Sequence, residues 1–70
     1  MRINFKAVDG NWYRCMESIT SRDSMLAEWK KLQDDSLFRV RIISEWNTLG
    51  DNNLWLQKRN IVLIEFEVTE

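Results

Sequence analysis

The sequence predicts an α+β fold, a small antiparallel sheet with one helix packed on one of its faces. Three observations predict it. Segments near both ends alternate apolar and polar residues with period two, Asp9-Gly10 marks a tight hairpin, and one apolar stripe of helical period lies between the strand segments. The implied order is β-β-α-β-β in a single domain spanning residues 1–70, because one helix laid over an antiparallel sheet buries both apolar stripes economically.

Residues 2–8 open the chain with Ile3, Phe5 and Ala7 on one face and Arg2, Asn4 and Lys6 on the other, the pattern of a half-buried strand. Asp9-Gly10 then favours a type I′ turn, whose central positions both need positive φ. The partner strand runs from about Trp12 to Ser18. Its inward face stays open: Trp12, Arg14 and Met16 share one side, Tyr13, Cys15 and Ile19 the other. Thr20 or Ser21 can cap the helix that follows, with Asp23 in its first turn and Lys30 and Lys31 in its last, both placed favourably against the dipole. Met25, Leu26, Trp29 and Leu32 form its apolar stripe, and the helix is expected to end near Gln33.

In the second half, Phe38, Val40, Ile42 and Trp46 alternate with Arg39, Arg41 and Glu45, and Val62, Ile64, Phe66 and Val68 alternate with Glu65, Glu67 and Thr69. A hairpin turning about Gly50 to Asn53 sets Trp46 opposite Trp55. Continued unchanged, that register gives the last strand the wrong inward face, since a one-residue slip reverses every side chain. A bulge or strand break at residues 57–60 is therefore expected, restoring Val40 against Val62 and Phe38 against Ile64. Glu65 and Glu67 would then sit across from Arg39 and Arg41.

Size and charge narrow the functional classes. Seventy residues bury only about 60% of the unfolded surface, so a chain this small usually needs a supplement to its core. With one cysteine and no histidine, an internal disulfide and the Cys/His zinc sites fall away, and no metal or cofactor is expected. A formal net charge of −1 lacks the basic excess by which duplex nucleic-acid binders neutralise phosphate. The longest uninterrupted apolar run, Ile61-Val62-Leu63-Ile64, is far short of the ~20 residues that span a bilayer. The segment MRINFKAV has no signal-like hydrophobic region, so the expected location is cytoplasmic, with a reduced thiol.

No catalytic residue is expected. Histidine is absent, glycine-rich phosphate loops are absent, and Cys15 reads as a small buried hydrophobe despite Arg14 beside it. Four tryptophans are the compositional excess. Trp29 belongs to the helix stripe. Trp12, Trp46 and Trp55 lie near hairpin turns, where a cross-strand aromatic pair is stabilising but incompletely covered. Partly exposed tryptophan beside arginine is the composition of interface hot spots and of base-stacking platforms. The candidate ligand- or partner-binding set is therefore Trp46, Trp55, Lys58, Arg59, Arg39, Arg41, Trp12 and Arg14, with Lys58 and Arg59 projecting from the bulge. A second expectation concerns Leu37, Ile43, Ile61 and Leu63, which would face away from the helix and form an apolar patch for homo-oligomerisation.

The resulting expectation is a small non-catalytic binding protein, a homo-oligomer that sequesters or blocks its target. The target could be a nucleotide-like anion held by tryptophan stacking and by arginine and lysine. The alternatives are a protein–protein inhibitor or adaptor acting on a host protein, and single-stranded nucleic-acid binding. In chain length, lack of catalytic residues and Trp/Arg content, the chain resembles in type the small accessory, anti-defence proteins of bacteriophages. That resemblance implies a viral inhibitor or nucleotide sponge; it rests on no motif and assigns no site residue.

Overall fold

A computed structural model describes residues 1–43 and 54–68. It contains β1 (Arg2–Ala7), β2 (Trp12–Cys15), α1 (Arg22–Lys31), β3 (Leu37–Ile42), β4 (Leu54–Gln57), a 3-10 turn (Lys58–Asn60) and β5 (Ile61–Glu67). The class is α+β; among the described residues there is one α-helix, and the antiparallel sheet has five strands where four were expected, in the order β4-β3-β2-β1-β5.

The first hairpin closes differently from a two-residue turn. Lys6 pairs with Trp12, Ala7 N donates to Asn11 O at 3.0 Å, and Val8, Asp9 and Gly10 form a three-residue loop. Gly10 N donates back to Ala7 O at 3.0 Å, and only then does Gly10 enter the left-handed region at φ 85°. This is the other common hairpin solution, a turn followed by a left-handed glycine. Asp9 fastens it: one carboxylate oxygen accepts from Asn11 N at 2.9 Å and the other from the Tyr13 hydroxyl at 2.9 Å. Tyr13 and Cys15 face the core, which resolves the parity of β2.

Helix α1 begins where its capping residues placed it. Ser21 is the N-cap, and its hydroxyl accepts from Ser24 N at 3.1 Å. Met25 is fully buried, Trp29 and Leu32 are partly buried, and Trp29 stacks on Phe38 with ring centroids 6.0 Å apart. Leu26, counted in the apolar stripe, is exposed instead. Phe38 also meets Phe5 at 5.2 Å, so the helix is tied through one ring to the centre of the sheet.

The strand break expected at residues 57–60 takes the form of the 3-10 turn, but its consequence differs. Val40 pairs with Leu54 and Phe38 with Leu56, both in β4, while β5 leaves this hairpin and pairs with β1. A bulge does occur, further on: Lys6 faces Leu63 and Ala7 faces Ile61, leaving Val62 as the extra residue. Ile61 is thereby turned into the core, contrary to its expected outward position.

The topology dictates the shape of the sheet. β4 and β5 are its two terminal strands, separated by four inter-strand steps, or ~19 Å in a flat sheet. Only three residues join them, and the chain from Gln57 to Ile61 spans at most ~14 Å when fully extended. The sheet must therefore coil until its ends approach, in the sense its natural twist already favours. Ile3, Phe5, Ala7, Tyr13, Phe38, Val40 and Ile61 fill the interior, with Met25 added from the helix.

Candidate functional site

The outer face of the coiled sheet carries the alternate set of side chains, and the strand registers place them in rows. Trp55 lies opposite Arg39, and Met16 N donates to Arg39 O at 2.9 Å to continue that row into the segment after β2. In the next row Arg41 faces Arg14, Arg14 faces Asn4, and Asn4 faces Glu65. In the third row Trp12 faces Lys6, and Lys6 faces Leu63.

Charge is distributed unevenly along these rows. On the β1–β5 side the ions satisfy one another. Arg2 pairs with Glu67 at 3.8 Å, Arg14 with Glu67 at 4.0 Å, and the Asn4 amide donates to Glu65 at 3.1 Å while accepting from Arg14 Nε at 3.3 Å. Asn4 is buried beneath this network, 4% exposed, with each side of its amide engaged. The carboxylates of Glu65 and Glu67 thus face β1, not Arg39 and Arg41 as the expected hairpin required.

The β3–β4 side is different in character. Trp55 is 62% exposed and Leu37, on the same outer face, is 52% exposed. Arg39 is exposed as well, with its guanidinium donating to Met16 O at 3.0 Å and its backbone N–H to Glu17 Oε1 at 2.8 Å. Trp55 follows from strand parity: its neighbour Leu56, opposite Phe38, packs against the core, so Trp55 must face out.

The expected binding set is therefore divided. Trp55 and Arg39 are neighbours, with Arg41 and Arg14 one row away and Trp12 beyond them, half-buried. Trp46, and with it the expected pairing to Trp55, lies outside the described residues; the ladder partner of Trp55 on β3 is Arg39. Lys58 does not project outward. Its ammonium donates to Trp29 O at 2.6 Å and Leu32 O at 2.8 Å, and lies 4.8 Å from the centre of the Trp29 ring. It caps the helix C-terminus, where the last carbonyls lack intrahelical donors. Arg59 is exposed, but its backbone N–H is committed to Asp34 O at 3.0 Å.

The expected oligomer patch is likewise dispersed. Leu37 sits on β3 beside β4, Leu63 on the terminal strand β5, and β2 and β1 lie between them. Ile43 N donates to Trp12 O at 2.9 Å, and Ile61 is buried. These four residues do not make one contiguous outer surface.

A groove of about 560 Å³ borders Trp55 and was not anticipated from the sequence. It is lined by Glu17, Ser18 and Ile19 after β2, by Glu28 and Leu32 of α1, and by Leu37, Phe38 and Trp55. The one available signal was the parity of Leu37 and Trp55; the approach of the 17–19 segment and the helix is a tertiary event.

Few groups offer chemistry. Burial pushes the Cys15 thiol above its ordinary value, which disfavours the reactive thiolate. Burial, then the hydrogen bond to Asp9, raises Tyr13. The Asn11 backbone N–H, then the Tyr13 hydroxyl, holds Asp9 below the usual aspartate value. Among the described residues there is no group of three or more side chains suited to a metal ion, and no helix is long and apolar enough to cross a membrane. Comparisons with protein-family models, curated proteins and solved structures give no match to this chain.

Proposed function

We propose that this chain is a non-catalytic binding module that docks a partner protein through the face formed by Trp55, Arg39 and Leu37. The observation that carries this reading is the 62% exposure of Trp55 directly across the ladder from an exposed arginine. A large indole left in water on a strand gives the isolated fold little. Tryptophan and arginine are the side chains that most often dominate binding energy when a partner desolvates them. Leu37 widens the apolar part of the face. The absence of histidine and the half-buried, up-shifted thiol fit a stoichiometric role.

The reading of a nucleotide-like anion as ligand is weakened at two residues. Lys58 is consumed by the helix cap, and Arg14 is paired with Glu67 and only 14% exposed. What supports it is the row in which Arg41 stands directly across from Arg14, two guanidinium groups on one outer face. A thermal-shift panel of nucleotides separates the readings, since the anion reading requires stabilisation that Arg41→Gln reduces.

The protein-docking reading is tested by affinity capture with matched variants. Wild type should retain one partner at a fixed stoichiometry. Trp55→Ala and Arg39→Ala should lose it, and Leu63→Ser, on the terminal strand β5, should retain it. Capture unaffected by Trp55→Ala removes this face from consideration.

A further inference from the structure

We infer that the groove beside Trp55 receives a basic side chain, arginine or lysine, presented by a peptide segment with aliphatic neighbours. The inference rests on the docking reading above and adds the chemistry of what is docked. The groove combines three properties. Its volume of about 560 Å³ is that of a small-ligand or side-chain site. Its apolar lining, chiefly Ile19, Leu32, Leu37 and the Trp55 indole, suits aliphatic carbon. Among the described residues its charged lining is two carboxylates, Glu17 and Glu28, with no lysine or arginine.

Neither carboxylate belongs to an ion pair among the described residues. Glu17 accepts the Arg39 backbone N–H with one oxygen, which fixes the side chain at the groove and leaves its charge in place. Glu28 projects from the helix with its charge in solvent. A cation entering between them meets opposite charge and can rest on the face of an indole, the two interactions that recognise guanidinium and ammonium groups. The molecule uses the same pairing internally, with Lys58 over Trp29 at 4.8 Å and Arg22 over Phe66 at 5.6 Å. An acidic segment would instead face two like charges, which opposes binding.

The test is a titration of the isotope-labelled full chain with two synthetic peptides, Leu-Arg-Leu-Arg-Leu and Leu-Glu-Leu-Glu-Leu, following the indole N–H resonances by NMR. The Trp55 resonance is assigned with Trp55→Phe. The basic peptide should shift the Trp55 indole saturably, with binding that weakens as salt is raised, while the acidic peptide leaves it in place. In the double variant Glu17→Gln/Glu28→Gln, the side-chain amide oxygen introduced at position 17 can still accept the Arg39 N–H. That variant should keep the wild-type dispersion and bind the basic peptide about tenfold more weakly. Equal response to both peptides, no response to the basic one, or salt-independent binding would overturn the inference, and the salt series decides it even if the double variant does not fold. Partner capture that still requires Trp55 but is indifferent to Glu17→Gln/Glu28→Gln overturns the inference alone and leaves the docking reading standing.

Discussion

Lys58 illustrates how a basic residue beside an aromatic excess can belong to the fold. Its ammonium satisfies two orphan carbonyls at the end of α1 and covers the Trp29 ring, joining the 3-10 turn to the helix. Replacing it with methionine keeps the stem and removes both charge-assisted bonds. The expected loss is about 1–3 kcal/mol of unfolding free energy, read from denaturant titrations. Tyr13 and Asp9 make a second statement at this scale. Tyr13 titrates higher in the folded chain than its ordinary 10.0, so its contribution to stability is complete below that pH and is lost as pH rises through the folded value. Asp9 titrates below its ordinary 3.8, so its contribution is present above that pH and is lost as pH falls through the lower folded value. Tyr13 is the only tyrosine, so near-ultraviolet difference absorbance reads it without ambiguity. Its midpoint should lie above 10.0, and Asp9→Ala should lower it without restoring the ordinary value, because burial is the larger cause.

At the level of elements, local chemistry was legible wherever the determinant was local. The Ser21 cap, the alternation of β1 and the inward Phe38 and Val40 all follow from neighbouring residues. Ser21→Ala should cost about 0.5–2 kcal/mol, visible as a lower unfolding midpoint. What alternation could not say was which strand lies beside which. A break does occur at residues 57–60, but the register from which it is expected turns Trp55 inward, whereas Trp55 faces out across from Arg39; a break in any case permits two outcomes, resumption beside β3 or departure to another strand. The choice of β1 is made by non-local terms: Ile61, Ile64 and Phe66 pack against the core from β1's side, and Lys58 N and Arg59 N bond Ser36 O and Asp34 O. The same non-local placement turns Lys58 onto the helix end and Ile61 into the core, where the sequence pattern alone predicts both outward. Trp55 was recognised as a candidate, whereas the groove it borders required the helix and the 17–19 segment to be in position.

The whole molecule is a coiled sheet plugged by one helix, with its surface charges sorted into two territories. Around β1 and β5 they neutralise one another through Asn4; around β3 and β4 an exposed tryptophan stands between arginines on one side and a carboxylate-lined groove on the other. The central claim is that Trp55 is retained for binding and contributes little to the fold. Equilibrium unfolding of Trp55→Ala tests it directly, with Phe38→Ala as the measure of a true core aromatic. Phe38→Ala should cost about 3–5 kcal/mol, or leave this small chain unfolded. Trp55→Ala should cost less than about 1 kcal/mol, the scale of one cross-strand pair. A loss at Trp55 comparable to that at Phe38 would make the indole a structural residue and contradict the account.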